Sequence, residues 1–360
     1  METAHESLEV RCFEHADLSE CRVCSRPNHD AGLSVLTDAL ETLRSKQMTP
    51  VSLRLFGSPA ALAEASLFLR SQPETVACPP VLIVQEHSSL EVQAYAVSAD
   101  RAVPVYQTDV PVGFRFEDED AAYTLLRILP ASAAADPFGQ TQSVFEQAHA
   151  MLADCGGGFN DTVRTWLFAD NILSWYDRLN AARNGFFEQH DVYRQLVPAS
   201  TGVGTANAHG TLLAAQVLAV RPKNDTVRVA AVPSPLQCPA LDYKSSFSRA
   251  VTVRTARCTS LFVSGTASID MAGKTAFVGD AAAQVELTMR VVEAILNEAK
   301  MNWSDTAAAL VYFKHRQDFS HLDAYCQGRG ISLPHIKLQA DVCRPDLLFE
   351  IELEAQNPRF

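Results

Sequence analysis

Residues 280–300 read DAAAQVELTMRVVEAILNEAK, which is the pattern of an amphipathic helix that packs on a sheet. Asp280 stands where its side chain can cap the first turn. The apolar residues that recur at helical spacing form one stripe, and they are Val285, Met289, Val292 and Leu296. A sheet is therefore expected beside this helix, so that the stripe is buried.

The segments on both sides of the helix supply such a sheet. Short apolar runs that favour strands occur at 212–220, 226–232, 259–264, 274–278, 308–314, 336–340 and 347–353, with a second helix predicted over 318–326. This order predicts an α+β layer, a mixed β-sheet with helices packed on one face. The N-terminal half repeats the alternation in a shorter form, so we expect two such layers, of which the N-terminal copy is degenerate.

The region between residues 130 and 158 is the predicted joint between two domains. It contains Pro130, Pro137 and three consecutive glycines at 156–158, and such a run is costly inside a helix or strand. We predict an N-terminal domain over 1–150 and a catalytic domain over 151–360. The catalytic domain would begin with an added helical segment at about 161–190.

The predicted helix at 161–190 carries two neighbouring stripes. The apolar stripe consists of Phe168, Ile172, Trp175, Leu179, Ala182 and Phe186. The second stripe mixes polar and aromatic residues, and its members are Tyr176, Asn180, Arg183 and Phe187. This second face suits either a ligand-binding wall or an ordinary boundary between core and solvent.

Composition excludes several classes of protein. The formal net charge of −12 disfavours a general binder of nucleic acid or anionic membranes, because such proteins need a positive field. The N-terminus shows neither a basic segment nor an apolar one, so we expect no signal peptide. No apolar run reaches the ~18 residues that a membrane span needs. The 9 cysteines are odd in number and scattered, which favours a reduced, cytoplasmic chain.

Two short motifs receive a weak functional interpretation. Cys21 and Cys24 form a CxxC that could bind zinc with His15 and His29, but two cysteines in a surface or edge segment are the favoured interpretation. The glycine-rich segment 200–204 matches no nucleotide-binding loop. It is expected to be a turn whose backbone and hydroxyl groups come close to a neighbouring group. We therefore predict no metal and no cofactor.

Glu350 and Glu352 are two residues apart in the last predicted strand and would share one face. A carboxyl group in apolar surroundings has a raised pKa and can exchange protons near neutral pH, although a solvated edge strand would also explain the pair. Four arginines stand outside charged runs and are candidates either for binding a substrate carboxylate or for structural ion pairs: Arg164, Arg183, Arg249 and Arg344.

Several of these motifs together resemble the RidA/YjgF superfamily. They are VSGTASI at 263–269, Gly279-Asp280 followed by Gln284, and CRPDLLFEIE at 343–352. Other segments resemble the chorismatase branch of that superfamily, namely 164–168, 176–187, 198–202 and 246–250. The resemblance covers about residues 160–355, whereas the N-terminal half matches mainly in length and layout.

The resemblance implies an enzyme that cleaves the enolpyruvyl ether of chorismate without a cofactor. It implies that Glu350 is the acidic catalyst and that Cys343 belongs to pockets that form 3-hydroxybenzoate. The residues then expected to bind substrate, some from the resemblance and some from the mixed stripe, are Arg164, Tyr176, Asn180, Arg183, Arg249, Ala267 and Cys343. The alternatives are hydrolysis of chorismate to a dihydroxycyclohexadiene carboxylate, a RidA-like imine or enamine deaminase, and a small-molecule binder without activity.

Two departures from the relatives bear on these alternatives. His335 stands where imine-deaminating RidA proteins have an arginine, which disfavours the deaminase, and Phe168 replaces a tyrosine expected in many relatives. RidA relatives form trimers with sites between subunits. A two-domain chain can supply such an interface internally, so we expect a monomer that binds a small molecule and neither nucleic acid nor membrane.

Overall fold

Three mixed β-sheets follow one another along the chain, each with two helices. The structure, a computed structural model, describes residues 6–14, 17–26, 32–72, 78–86 and 88–358. Within this part of the chain, no helix has both the length and the apolar character needed to cross a membrane. The predicted α+β class, with RidA-like layers of mixed sheet and helices, is confirmed.

The N-terminal sheet has the strand order β1-β2-β5-β3-β4. Its elements are β1 (Leu8–Phe13), β2 (Glu20–Ser25), α1 (Leu33–Ser45), β3 (Met48–Gly57), α2 (Pro59–Arg70), β4 (Val81–Val84) and β5 (Glu91–Ser98). Ser58 accepts a hydrogen bond from the Ala61 amide at 3.3 Å and caps α2.

The middle sheet has the order β6-β7-β8-β11-β9-β10. Its elements are β6 (Val103–Gln107), β7 (Val110–Glu117), β8 (Ala121–Ile128), α3 (Pro137–Asp154), β9 (Thr162–Ala169), α4 (Tyr176–Gln189), β10 (Ala199–Gly204) and β11 (Leu213–Pro222). Strands on both sides of residue 150 belong to this one sheet, and the predicted domain boundary falls inside α3.

The C-terminal sheet has the order β12-β13-β14-β17-β15-β16. Its elements are β12 (Arg228–Val232), β13 (Ala250–Arg254), β14 (Cys258–Ala267), α5 (Ala281–Glu298), β15 (Thr306–Phe313), α6 (Phe319–Arg329), β16 (His335–Gln339) and β17 (Phe349–Pro358). Asp280 accepts a hydrogen bond from the Ala283 amide at 3.0 Å and caps α5, and the predicted stripe of α5 is buried.

All three sheets share a core plan of two strands, helix, strand, helix and two strands, and the middle and C-terminal sheets each add one strand before it. In each sheet the last strand lies beside the strand that precedes the first helix. The expected number of two layers is therefore wrong, because the middle sheet is a third. The N-terminal copy keeps the core plan but has five strands where the other two sheets have six, so it is the shorter copy, as expected. The sheets close into a ring through contacts at the ends of their parallel edge strands: Ile83 bridges Asn207, Gly204 bridges Asp341, and the Gln339 amide donates to Gln85 Oε1 at 2.8 Å.

The predicted helix at 161–190 is correct only for its second half. Residues 162–169 form β9, and every side chain of this strand is buried. A strand buried on both faces shows no alternation, and an apolar run of this kind cannot be distinguished from a buried helix by periodicity. The strand predicted at 274–278 is also wrong, since this segment makes only the isolated bridge between Thr275 and Ile269.

The cysteines of the CxxC motif do not act together in this structure. Cys21 forms a disulfide with Cys12, which lies directly opposite it in the antiparallel pair of β1 and β2. The expectation of a fully reduced chain is therefore wrong at this pair. His15 and His29 lie outside the described residues. Over the residues that are described, no group of three or more His, Cys, Asp or Glu side chains is arranged to hold a metal ion.

Candidate active site

The candidate site lies at the junction where β10 of the middle sheet meets β14 of the C-terminal sheet. The Gly265 amide donates to Thr201 Oγ1 and the Ser200 amide donates to Ser264 Oγ, both at 2.9 Å. The glycine-rich segment at 200–204, expected to be a turn, is thus the strand β10 that joins the two sheets. A cavity of about 580 Å³ opens beside this junction.

The cavity brings together most of the residues predicted for the site. Those in its wall are Tyr176, Asn180, Arg183, Arg249, Ala267, Cys343 and Glu350. They come from α4, from the loop before β13, from the end of β14, from the segment that leads into β17 and from β17 itself. Three members of the mixed stripe, Tyr176, Asn180 and Arg183, therefore lie in the cavity wall, whereas Phe187 is buried in the core.

Glu350 is the acidic group of the cavity. It lies in β17 opposite Ala267 of β14 and Tyr312 of β15, and only 5% of it is exposed. Its Oε1 is buried and has no hydrogen-bond partner among the described residues. Burial raises the pKa of Glu350 to about 8, the Glu352 carboxylate adds to the rise, and the charges of Arg164 and Arg249 oppose it. The carboxyl group is therefore protonated at neutral pH and can act as an acid.

Arg164 is not part of the cavity wall. Its Nη2 donates to Glu352 Oε2 and to Thr201 Oγ1, each at 2.6 Å. Only 1% of its surface is exposed, and its Nε and Nη1 have no hydrogen-bond partner among the described residues. The structure therefore does not place Arg164 with the other residues expected to bind substrate, and its guanidinium pairs with the buried carboxylate of Glu352.

Arg183 and Arg249 are two buried cations of the cavity wall, which also includes Lys244 and Arg344. Arg183 Nη2 donates to Asn180 Oδ1 at 2.6 Å, and Arg249 donates to the Cys238 carbonyl through Nε at 3.1 Å and Nη2 at 2.7 Å. Neither guanidinium pairs with a carboxylate of the described residues, and Arg183 Nε has no partner there. Burial lowers the pKa of Arg183. An anionic ligand would supply the missing countercharge to both residues.

Tyr176 and Cys343 are neutral members of the wall. Burial raises the pKa of the Tyr176 hydroxyl, and so does the neighbouring Cys343. Burial also raises the pKa of the Cys343 thiol to about 12, and the charge of Glu350 contributes to the rise. Cys343 is a free cysteine, so it presents an uncharged thiol near the carboxyl group of Glu350. A thiol in this state is a poor nucleophile and serves as a contact surface.

Comparison with known proteins agrees with this geometry. The model of the family described as "Endoribonuclease L-PSP" matches residues 239–356, which include most of the C-terminal sheet. The 3-hydroxybenzoate synthase of Streptomyces hygroscopicus is 24% identical over 358 residues, covering 89% of this chain and 97% of that protein. A crystal structure of a chorismatase superposes with a TM-score of 0.63 at 18% identity, covering 85% of this chain and 93% of that one. These similarities support a chorismatase-like chain whose C-terminal part, residues 239–356, matches the L-PSP family model.

The three sheets meet at three junctions, and this cavity lies at the one between the middle and C-terminal sheets. The position of Glu350, opposite Tyr312, corresponds by register to Ala214 opposite Phe168 in the middle sheet. The same position in the N-terminal sheet is Glu91, opposite Phe56. The middle sheet has thus no carboxyl group at this position. Glu91 does not line the cavity, and the charges of Arg316 and Lys337 oppose the rise in its pKa to about 7 that burial causes.

Sequence reasoning missed several residues of the wall. The loop before β13 contributes Tyr243, Lys244, Ser245 and Phe247, and the segment before β17 contributes Arg344. Arg344 Nη1 donates to the Gly273 carbonyl at 2.8 Å, and its guanidinium lies 5.2 Å from the Tyr243 ring centre. Arg344 lies within the matched motif 343–352 and is a sequence candidate for binding a carboxylate, but it is not among the residues expected to bind substrate. The loop residues carried no usable signal, because their approach to the cavity depends on the path of the loop.

Proposed function

We propose that this chain is an enzyme that cleaves chorismate, releasing pyruvate and forming 3-hydroxybenzoate. The observation that carries the proposal is Glu350, a buried carboxyl group that is uncharged at neutral pH and lies in a cavity with two arginines that lack a carboxylate partner. The similarity to a 3-hydroxybenzoate synthase and to a chorismatase supports the choice of substrate.

Binding uses the charges of the cavity. Chorismate carries two carboxylates, one on the ring and one on the enolpyruvyl group, and the planar forks of Arg183 and Arg249 suit them. The side chains of Tyr176 and Asn180 lie on the same wall and can contact the ring oxygens. Cleavage of a vinyl ether then requires a proton on carbon, for which a neutral acid is needed.

Glu350 supplies that proton to the methylene carbon of the enolpyruvyl group. The electron pair of the carbon–carbon double bond forms the new carbon–hydrogen bond, which converts the methylene to a methyl group and leaves an oxocarbenium ion. Glu350 is then a carboxylate and stabilises the adjacent cation. Arg164 and Arg249 lie close enough to influence the charge of Glu350.

In the route to 3-hydroxybenzoate, the ring hydroxyl oxygen attacks the oxocarbenium carbon and its proton passes to Glu350. The bond between that oxygen and the ring then breaks, and loss of a ring proton restores aromaticity. Collapse of the resulting hemiketal releases pyruvate and leaves the phenol, with no net consumption of water. In the alternative, one water attacks instead, and the products are pyruvate and a dihydroxycyclohexadiene carboxylate.

Incubation with chorismate in oxygen-18-labelled water tests the proposal and separates the two routes. Pyruvate is trapped as lactate during the reaction, and the ring products are separated by chromatography. Unlabelled lactate with 3-hydroxybenzoate supports the proposal, whereas labelled lactate with a diol supports hydrolysis. A folded protein that forms no pyruvate contradicts both. The deaminase gains no support from His335, which begins β16 and does not line the cavity.

We also propose that the enzyme works as a cytoplasmic monomer. The cavity lies between two sheets of the same chain, so a second copy is not needed to complete its wall. Light scattering should give a molar mass near 39.3 kDa at concentrations at which the enzyme is active. A mass two or three times as large would contradict this part of the proposal.

A further inference from the structure

Glu350 and Glu352 are neighbours on one face of β17, but their surroundings differ. Both are almost fully buried, with 5% and 3% of their surfaces exposed. Glu352 is paired with Arg164 at 2.6 Å, whereas Glu350 has no ion pair and its Oε1 has no hydrogen-bond partner among the described residues. Two buried carboxylates this close cannot both ionise without a large electrostatic cost.

A group of charges between the three sheets surrounds Glu352, and all of its members are buried except the partly exposed Glu354. We call it the axial cluster, and its members are Arg22, Arg54, Arg164, Glu20, Glu352 and Glu354. The cluster contains three cations and three carboxylates. Its ion pairs are Arg22 with Glu354 at 2.9 Å, Arg22 with Glu20 at 3.4 Å, and Arg164 with Glu352 at 2.6 Å.

Arg54 is the third cation of the axial cluster, and its hydrogen-bond partners are side-chain amides. Its Nε donates to Gln216 Oε1 at 2.5 Å and its Nη1 donates to Gln93 Oε1 at 2.7 Å, and its charge is balanced through space by Glu352 and Glu354. The charges of the axial cluster thus cancel without Glu350. Ionisation of Glu350 would add a fourth carboxylate and leave an excess negative charge at a side chain that is only 5% exposed.

From this arrangement we propose that Arg164 and Glu352 are positioning residues that keep Glu350 protonated and fixed at the cavity wall. The inference rests on the proposed function, in which Glu350 is the acid. Glu352 acts through its charge, and Arg164 neutralises Glu352 so that only one of the two glutamates needs to hold a proton. Arg164 also holds Thr201, whose Oγ1 accepts from the Gly265 amide at 2.9 Å next to the Glu350 carboxyl group.

The groups that face Glu350 come from every element packed around it. They are Glu352 on the same strand, Tyr312 on β15, Arg164 on β9, Arg249 before β13 and Cys343 before β17. The Tyr312 hydroxyl and the Cys343 thiol are neutral, because burial raises the pKa of each. Arg249 is the remaining cation, and in the proposed complex a substrate carboxylate offsets its charge. Glu352 is therefore the neighbour whose removal should most change the ionisation of Glu350.

The test compares Glu352→Gln with the double variant Arg164→Met/Glu352→Gln. In Glu352→Gln, Arg164 is left unpaired beside Glu350 and lowers its pKa, so the pH above which kcat/KM falls should move down by about one unit or more. In the double variant the axial cluster is balanced again, and the profile should return toward that of the wild type. Glu298→Gln, at an exposed position of α5, is the matched control and should leave the profile unchanged.

A merely structural role gives a different result. It predicts that Glu352→Gln lowers turnover equally at all pH values and that the double variant is worse than the single one. Either finding overturns the inference.

A second measurement does not depend on turnover. Infrared difference spectra of each protein against its Glu350→Gln counterpart follow the protonated carboxyl of Glu350 through a pH titration without substrate. A titration that is identical in wild type and Glu352→Gln overturns the inference even if chorismate is cleaved. If chorismate is not cleaved, the proposed function fails while the titration still decides the role of Glu352.

Discussion

Gly265 of β14 lies directly against the carboxyl group of Glu350. A Cβ built at Gly265 would come within 2.9 Å of Glu350 Cδ and within 3.1 Å of Thr201 Cγ2. A glycine inside a strand usually marks a place where another group approaches closely. Here that group is the buried acid, and the missing side chain at position 265 leaves the space that the acid occupies.

Gly265→Ala should therefore displace the Glu350 carboxyl group and lower kcat by about tenfold or more, while overpacking costs about 1–3 kcal/mol of stability. The matched control is Gly185→Ala in α4, where nothing lies within 4 Å of an added Cβ. That variant should keep its turnover and gain about 0.5–1 kcal/mol. Equal turnover of Gly265→Ala and wild type would show that the carboxyl position does not matter.

The activity of the wild type should fall above about pH 8, since the pKa of Glu350 is raised to about 8 and the ionised form cannot donate a proton. The measurement is kcat/KM as a function of pH with the release of pyruvate as readout. A kcat/KM that stays constant or rises up to pH 10 would contradict the role of Glu350 as the acid.

The free energy of unfolding should depend on the same ionisation of Glu350. Because the pKa of Glu350 is higher in the folded state than its ordinary value of 4.5, folding favours the protonated form. Its contribution is fully present below about pH 4.5 and is lost as the pH rises through about 8. Glu350→Gln should match the wild type in denaturant unfolding at low pH and be the more stable protein at pH 9. No difference between the proteins across this range would contradict a buried, uncharged Glu350.

Arg183→Gln and Arg249→Gln should each lower kcat/KM for chorismate by about a hundredfold, because each removes a buried cation that the proposed substrate neutralises. The control is Arg178→Gln on α4, whose guanidinium is exposed and only 3.8 Å from Asp136 at the surface. It should behave as wild type. If the Arg183 and Arg249 variants also do so, the two carboxylates bind elsewhere.

Cys343→Ala tests the assignment of the ring product. The thiol is uncharged and lies in the cavity wall with Glu350, so its loss leaves space for a water molecule near the reacting carbon. We expect the product to shift from 3-hydroxybenzoate toward the diol, as measured by chromatography, with the release of pyruvate retained. An unchanged product ratio would mean that Cys343 does not select between the routes.

The parts of the fold that depend on local pattern were predictable from sequence. The stripe of α5 and the cap at Asp280 are found in the structure where the sequence places them. The middle sheet was not recognised, because β9 is buried on both faces and shows no alternation. The number of sheets therefore depended on one strand whose pattern was ambiguous.

The site was predictable where motif and stripe coincide, as for Tyr176, Asn180 and Arg183 on α4. It was not predictable where two sheets meet. Arg164 was expected to bind substrate because it is an arginine in a matched motif. Its ion-pair partner Glu352 is 188 positions away in the sequence, so local pattern could not reveal the pair. Only the closed ring of sheets shows that this guanidinium is already paired.

The most direct test of the account is Glu350→Gln assayed with chorismate. This variant keeps the shape of the side chain but has no proton to donate. We predict that it binds chorismate in calorimetry with wild-type affinity and releases pyruvate about 10² to 10⁴ times more slowly than the wild type. Pyruvate release at the wild-type rate by the folded variant would contradict the central claim that Glu350 is the acid.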